Sequence, residues 1–576
     1  MNDIRRTILW VVFGFSIVLL WDQWQIYNGK KATFFPAPAT TAVAPGAVAP
    51  GLPGAATGVP AGVPTANTTA IDAQVSGALP TLSPAAAGEQ VMVTTDVFKL
   101  TFDTQGGSLV RAELLKYADK DDKSKNLVLL DYRKDQVYLA QTGVVAGAGG
   151  GAFPTHKTLM AVSGERELKD GQNEMTLQFE SPDVGGIKLI KTYTLRRGAY
   201  DVAVKHELIN QSSAPIAPQL YLQLVRDGSA PPGESSFYST FTGPAVYTEA
   251  LKYQKVDFSD IKKNKADYEK QAANGYVAMV QHYFASVWIL PDGVQRNISL
   301  EAVDIGAPVA DCCYRATMIT PLAAIEPGAS KTVAATFFAG PQEEKVLEAL
   351  TPGLELVKDY GWLTILAKPL YWLLDKLHSF IGNWGWSIMA LVLLLKIAFY
   401  WLNAKAYASM AKMKAVNPQI MAMRDRLKDN PQQMQQEMMR IYREEKVNPM
   451  GGCFPIMVQI PVFIALYWVL LSSVEMRNAP WVMWIHDLSS PDPYYILPLV
   501  MTLTTVLQTA LNPVPPDPMQ AKLMWFMPLA FSVMFFFFPA GLVLYWITNN
   551  ILSIAQQWVI NTRMGVPPQF NLPKFK

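Results

Sequence analysis

The feature that most constrains this chain is a series of long apolar stretches crowded into its last third. They cover residues 385–403, 454–474, 494–511, 524–538 and 541–560. A helix needs roughly 20 mostly apolar residues to cross the hydrocarbon of a bilayer. Inside lipid only helices and closed barrels satisfy their backbone polar groups. The run over 524–538 is short and calls for a locally thin bilayer or an untilted crossing. A sixth apolar run, over 8–21, stands near the start of the chain. The pattern predicts a polytopic α-helical membrane protein with six spans. Composition agrees: 50% of the residues are hydrophobic and only 17% are charged, against about 25% charged in ordinary soluble domains.

Arg5 and Arg6 precede the first run, and Trp21, Trp24 and Tyr27 follow where an interfacial aromatic belt would lie. Basic residues stay on the cytoplasmic side, so residues 1–28 are expected to be an N-terminal anchor. A cleaved signal peptide is the competing reading, but Asp22-Gln23-Trp24 is a poor cleavage context. The segment between the second and third spans carries Lys405, Lys412, Lys414, Arg424, Arg426, Lys428, Arg440, Arg443 and Lys446. Residues 475–493 hold one basic residue, Arg477, and the tail over 563–576 holds Arg563, Lys574 and Lys576. Six spans with both termini cytoplasmic satisfy this distribution.

Residues 29–90 are rich in Ala, Pro and Gly and nearly free of charge past Lys31, which reads as a flexible, extended linker. Over 91–346 the texture changes to short alternating runs parted by Gly and Pro, such as Lys188-Leu189-Ile190-Lys191-Thr192-Tyr193. Period-2 alternation at this spacing predicts a large antiparallel β-sandwich. Lying after one anchor, it is expected on the periplasmic side. Residues 347–382 turn helical. Over 362–381 one face carries Thr364, Lys368, Tyr371, Asp375 and His378, and the other carries leucines. Such a helix lies in the interface plane, although a soluble helix covering the β domain is the plainer alternative. Pro369 predicts a kink or break in it.

The sharpest chemical signal lies in the core over 383–562. Lys396 stands inside an apolar span, where a lysine costs about 2.5–3.5 kcal/mol and usually faces a bundle interior or a wet cavity. Snorkelling toward the cytoplasmic headgroups is the alternative. The last span carries a polar wedge of Thr548, Asn549, Asn550, Ser553, Gln556 and Gln557, with Tyr545 and Trp546 above it. Gln459 lies in the third span, and Gln508 stands beside Thr502, Thr505 and Thr509 in the fourth. These groups can simply join helices by hydrogen bonds; so many amides in one span also suit the wall of a wet cavity. The fifth span is the opposite: Phe535, Phe536, Phe537 and Phe538 form a continuous aromatic run, an apolar surface where a hydrophobic segment could leave.

Residues 404–450 predict a cytoplasmic helical hairpin, with helix starts at Asn417-Pro418 and Asn430-Pro431. Met421, Met423, Met434 and Met438 offer an adaptable surface that could capture apolar segments. Packing inside a plain hairpin is the alternative. The rest of the inventory is negative. Cys312, Cys313 and Cys453 form no CxxC pair, and Cys312 and Cys313 read as buried thiols. The five histidines show no metal-ligand spacing. No nucleophile–base set, phosphate loop or carboxylate pair lies in the membrane region, so no enzyme and no cofactor is expected. A net charge of +2 gives no sign of a specific nucleic-acid partner.

Several local strings resemble the YidC/Oxa/Alb family of membrane insertases in its Gram-negative branch. They are Gly382-Asn383-Trp384-Gly385-Trp386-Ser387, Lys446-Val447-Asn448-Pro449 leading into Gly451-Gly452-Cys453-Phe454-Pro455, Trp484-Ile485-His486-Asp487-Leu488, Asp492-Pro493-Tyr494-Tyr495 and Gly541-Leu542-Val543-Leu544-Tyr545. The resemblance implies a five-helix core with a hydrophilic groove, open to the cytoplasm and to lipid, whose positive charge attracts the polar stretch of a substrate. It implies a periplasmic supersandwich, nascent membrane proteins as substrates, and partnership with the Sec translocon, with ribosomes and targeting factors, and with the bilayer. The family's groove charge is usually Arg; here the matching position is Lys396, which keeps the charge and loses the bidentate fork. Two rivals remain. A solute transporter predicts inverted repeats, and none is seen. A tethered carbohydrate-binding module leaves Lys396 and the amide-rich span without purpose.

Overall fold

The structure, a computed structural model, describes residues 88–120, 122–146, 152–231, 240–306, 309, 313–427, 430–445, 454–512, 518–565 and 570–571. The anchor expected over 1–28 and nearly all of the linker expected over 29–90 lie outside them. The chain divides into two compact units that part between Val357 and Lys358.

In the first unit the alternation seen in sequence becomes strands. In Ile187–Arg196 every second side chain is buried, which is what a strand with one face on a core requires. Two antiparallel nine-stranded sheets form. One runs from an edge at Gln90–Thr94 through Val137–Ala146 and Pro218–Arg226 to Gln271–Ala272; the other runs from Lys252–Lys255 through Ser330–Pro341 and Asp201–Asn210 to Ala161–Gly164. Central pairings are long: Pro218–Arg226 is matched residue for residue with Tyr138–Ala146. The core includes Trp288, Phe98, Phe102, Phe179 and Phe338, all essentially inaccessible. Two short helices, α1 (Phe258–Lys262) and α2 (Glu344–Leu350), complete this unit. Cys313 is buried and disulfide-bonded, which corrects the expectation that it is a free thiol; Cys312 lies outside the described residues.

The second unit is helical: α3 (Thr364–Ile381), α4 (Trp384–Ala398), α5 (Tyr400–Arg426), α6 (Pro431–Glu444), α7 (Phe454–Ser472), α8 (Ile496–Leu511), α9 (Pro518–Met534) and α10 (Ala540–Arg563). Local signals explain the boundaries. Gly382 closes α3 with φ 72°, a left-handed cap that glycine adopts at no steric cost, and donates to His378 O. Asn383 then caps α4 by accepting from Trp386 N. Gly385 lets Trp481 lie against the helix, since a Cβ there would meet its ring at 2.2 Å. Asn430 caps α6, with Pro431 in the first turn as expected.

Four expectations need correction. The apolar stretch over 385–403 is not one helix: it breaks at Phe399, where α4 and α5 meet at 68°. Neither proline nor glycine stands at the break, so the helical period runs through it. Asn417-Pro418 is not a helix start, because α5 continues through Pro418. Val416, Ile420 and Met423 bury on both sides of it, and that packing outweighs the lost backbone bond. Pro369 likewise does not break its helix, lying within the first two turns of α3. Finally, Tyr371 turns inward rather than joining the polar face. Its hydroxyl donates to Glu475 at 2.5 Å, and Lys358, fully buried, donates to both oxygens of the same carboxylate at 3.1 Å.

No single described helix is both long and apolar enough to cross a membrane alone; the bent pair α4–α5 passes jointly, and α7, α8 and α9 contain shorter apolar stretches.

Candidate functional site

α10 builds one wall of the site. Tyr545, Asn549, Ser553 and Gln557 recur at four-residue steps and so share a face. That face meets α4, α5, α7 and α8. Lys396, in the last turn of α4 and 5% exposed, donates from Nζ to Ser553 Oγ at 2.7 Å. The Ser553 hydroxyl gives its own proton to Asn549 O at 2.7 Å, which leaves its lone pairs for the ammonium. Gln459 on α7 donates to Asn549 Oδ1 at 3.3 Å. Gln556 donates from Nε2 to Lys396 O at 3.2 Å, and Asn403 on α5 donates to Gln556 Oε1 at 3.3 Å.

These contacts border an open cavity of about 270 Å³. α5 contributes Asn403, Tyr407 and Met410 to it; α7 contributes Gln459, Ile460 and Phe463; Gln508 and Asn512 come from the end of α8. Tyr545, Trp546, Asn549, Ser553 and Gln557 complete the wall. A smaller pocket adjoins it, lined by Lys396, Phe399, Val392 and Leu395 and sharing Asn403, Gln459, Tyr545 and Asn549. Among the described residues that line these two spaces, Lys396 is the one that carries charge. A cavity walled by amides, hydroxyls and aromatic rings around one cation can hold a polar or anionic segment out of lipid. It contains no acid–base pair and no group of metal ligands is found among the described residues.

The structure therefore brings together Lys396, Gln459, Gln508, Tyr545, Trp546, Asn549 and Ser553. Thr548 does not join them: it is buried and its hydroxyl donates to Leu544 O within its own helix. The aromatic run divides. Phe535 and Phe538 are buried, Phe535 packing on Trp546 with ring centres 4.9 Å apart, while Phe537 is 45% exposed and Phe536 packs beside Tyr495. The exposed apolar surface of α9 instead comes from Phe526, Phe531 and Val533. In the hairpin, Met423, Met434 and Met438 pack around the core of α5 and α6, and Met421 is exposed. Asn403, Tyr407 and Asn512 were missed in the sequence. The spacing of Asn403, Tyr407 and Met410 (four, then three) was the available signal for α5, since it repeats one helix face.

Family comparisons bear on this arrangement. Residues 90–373 match the family model described as YidC periplasmic domain, and residues 376–566 match that described as 60Kd inner membrane protein. The membrane protein insertase YidC of Ralstonia nicotianae is 53% identical over 569 residues, 98% of each chain. The chain belongs to the YidC family of membrane protein insertases. The YidC of Cupriavidus necator is 54% identical over 571 residues, again 98% of each chain. A crystal structure of an active YidC insertase with its first transmembrane domain resolved covers 82% of this chain and 92% of its own, at 18% identity and a TM-score of 0.38. The strands of the sandwich lie within the match to the YidC periplasmic domain, and α4 to α10 lie within the match to the 60Kd inner membrane protein.

Proposed function

We propose that this insertase receives newly made inner-membrane proteins in the cavity beside α10 and uses Lys396 to hold their polar, often acidic, flank while the apolar segment moves into lipid. The observation that carries this reading is the buried Lys396 ammonium, anchored on Ser553 at the edge of an open polar cavity that has no other charge among its described lining. Burying a charge is costly unless it is paired, and Lys396 meets a neutral hydroxyl with no carboxylate among the described lining, so this recess is a poor element of mere architecture. A single positive charge sets a direction: it favours a negative flank and disfavours a positive one.

In this reading the chain is a multi-pass inner-membrane protein with both termini cytoplasmic, supported by the basic residues of the hairpin and the scarcity of basic residues after α7. The half-exposed hairpin, with Met421 and Met439 outward, is the place where an arriving apolar segment is first held. The apolar flank of α9 is where it leaves. The Sec translocon, and the ribosome with its targeting factors, are the partners that would deliver substrates too large for this site alone. The test is insertion of a small single-span substrate with an acidic tail into liposomes that contain only this purified protein, read by protease protection. Protection well above that in empty liposomes is expected. Its absence from folded protein would overturn autonomous insertion.

A further inference from the structure

We propose that Gln556 is a positioning residue for Lys396, acting through the backbone at the break between α4 and α5; this rests on the reading of Lys396 as the substrate-attracting charge. The last four carbonyls of a helix have no donor within it. Lys396 stands in the last turn of α4, and the chain turns away by 68° just beyond it. In an apolar surrounding an unmet carbonyl is expensive, and broken helices persist where neighbouring side chains satisfy the freed groups. Gln556 does this from α10, donating to Lys396 O.

A glutamine amide can present either end, and the Lys396 carbonyl decides which: it can only accept, so Nε2 faces it, and Oε1 is left to accept from Asn403. Asn403 is buried and stands on the far side of the break. The pair therefore ties together three pieces: the last turn of α4, the start of α5 and the middle of α10. Residue 396 is thus held to α10 twice, by its side chain through Ser553 and by its carbonyl through Gln556, three residues further along. The second tie fixes the backbone from which the lysine reaches, so it sets where the charge sits without touching substrate. Gln556 lines neither cavity.

The test uses the full chain in liposomes and two substrates with the same apolar span, one with an acidic tail and one with Asn in place of each acid. Gln556→Met keeps the length and removes the donor. It should lower insertion of the acidic-tailed substrate about fivefold, the effect of one neutral hydrogen bond, and leave the neutral-tailed one unchanged. Amide exchange should quicken over residues 396–403 in the variant and stay as it was in the rest of α10. A merely structural role would lower both substrates alike. Equal losses, no loss, or unaltered exchange at the break would each overturn the proposal. Lys396→Ala run alongside separates the two ideas. If it abolishes the advantage of the acidic tail while Gln556→Met does not, only the positioning role fails. If Lys396→Ala leaves that advantage intact, the reading of Lys396 fails.

Discussion

Lys396 is a point charge on a single acceptor, Ser553, and that geometry predicts what substitution will tolerate. Nothing in the contact is bidentate, so Lys396→Arg should keep most insertion. Lys396→Glu places a like charge against an acidic flank and should lower insertion of such a substrate at least about tenfold, the effect of roughly 1.4 kcal/mol; growth and liposome insertion at the parental level would exclude the charge mechanism. A second buried lysine behaves differently. Lys191, in the sandwich, donates to Gly106 O at 2.6 Å and Thr142 O at 2.7 Å, and burial pushes it down to about 7. From pH 7 to its ordinary value near 10.5 the folded lysine is neutral while the unfolded chain still binds the proton, so stability rises with pH across that window. His156 and His206 are pushed down to about 3, chiefly by burial. They stay neutral in the fold while the unfolded chain protonates, so stability falls as pH drops from about 6.5 toward 3. Thermal unfolding of the sandwich in the intact protein should follow both trends, and Lys191→Met should flatten the alkaline one. None of these partners was visible beforehand, because a lysine inside an alternating strand reads the same whether it faces water or two carbonyls.

At the scale of elements, the sequence was legible wherever a period of two or 3.6 ran uninterrupted. The strands of the sandwich and the helices α7, α8 and α10 were placed by their apolar spacing. Legibility failed where a tertiary contact overrode a local signal. Pro418 should begin a helix but lies inside one, because the hydrophobic contacts of Val416, Ile420 and Met423 hold both sides in line. The break at Phe399 has no local signal because its freed carbonyl is met from another helix. The aromatic run read as one surface divides because a 3-10 turn over Phe535–Phe537 points successive rings in different directions. Tyr371 was assigned to a polar face by spacing alone, yet it helps to hold Glu475 beside Lys358, binding α3 and the segment before it to the end of α7. That cluster gives a prediction proper to elements. Glu475→Ala leaves the fully buried Lys358 without its carboxylate and should cost about 3–5 kcal/mol. Adding Lys358→Met should recover much of this, because a buried pair replaced whole is often neutral. Denaturant or thermal unfolding of the three proteins decides the matter, and two equally unstable variants would show that the lysine is not what the glutamate supports.

At the scale of the whole molecule, the division between Val357 and Lys358 says how to ask which unit inserts. Every contact of the cavity, from Lys396 to Gln557, lies on the far side of that division. Removal of residues 91–330 alone would leave the rest of the Ser330–Pro341 strand behind. That strand is the interior neighbour of Phe284–Ile289 and Asp201–Asn210, so the remnant would carry two unpaired edges and an apolar face, a template for aggregation. It would also leave Leu347, Leu354 and Val357, which are buried in the intact protein, without their cover. A deletion that ends at residue 357 removes the sandwich as a unit. Insertion in liposomes should then persist at near the intact rate, whereas the shorter deletion should lose activity through misfolding, detectable as aggregation in detergent. Equal loss in both, with the longer deletion demonstrably folded, would move part of the insertion mechanism into the periplasmic domain.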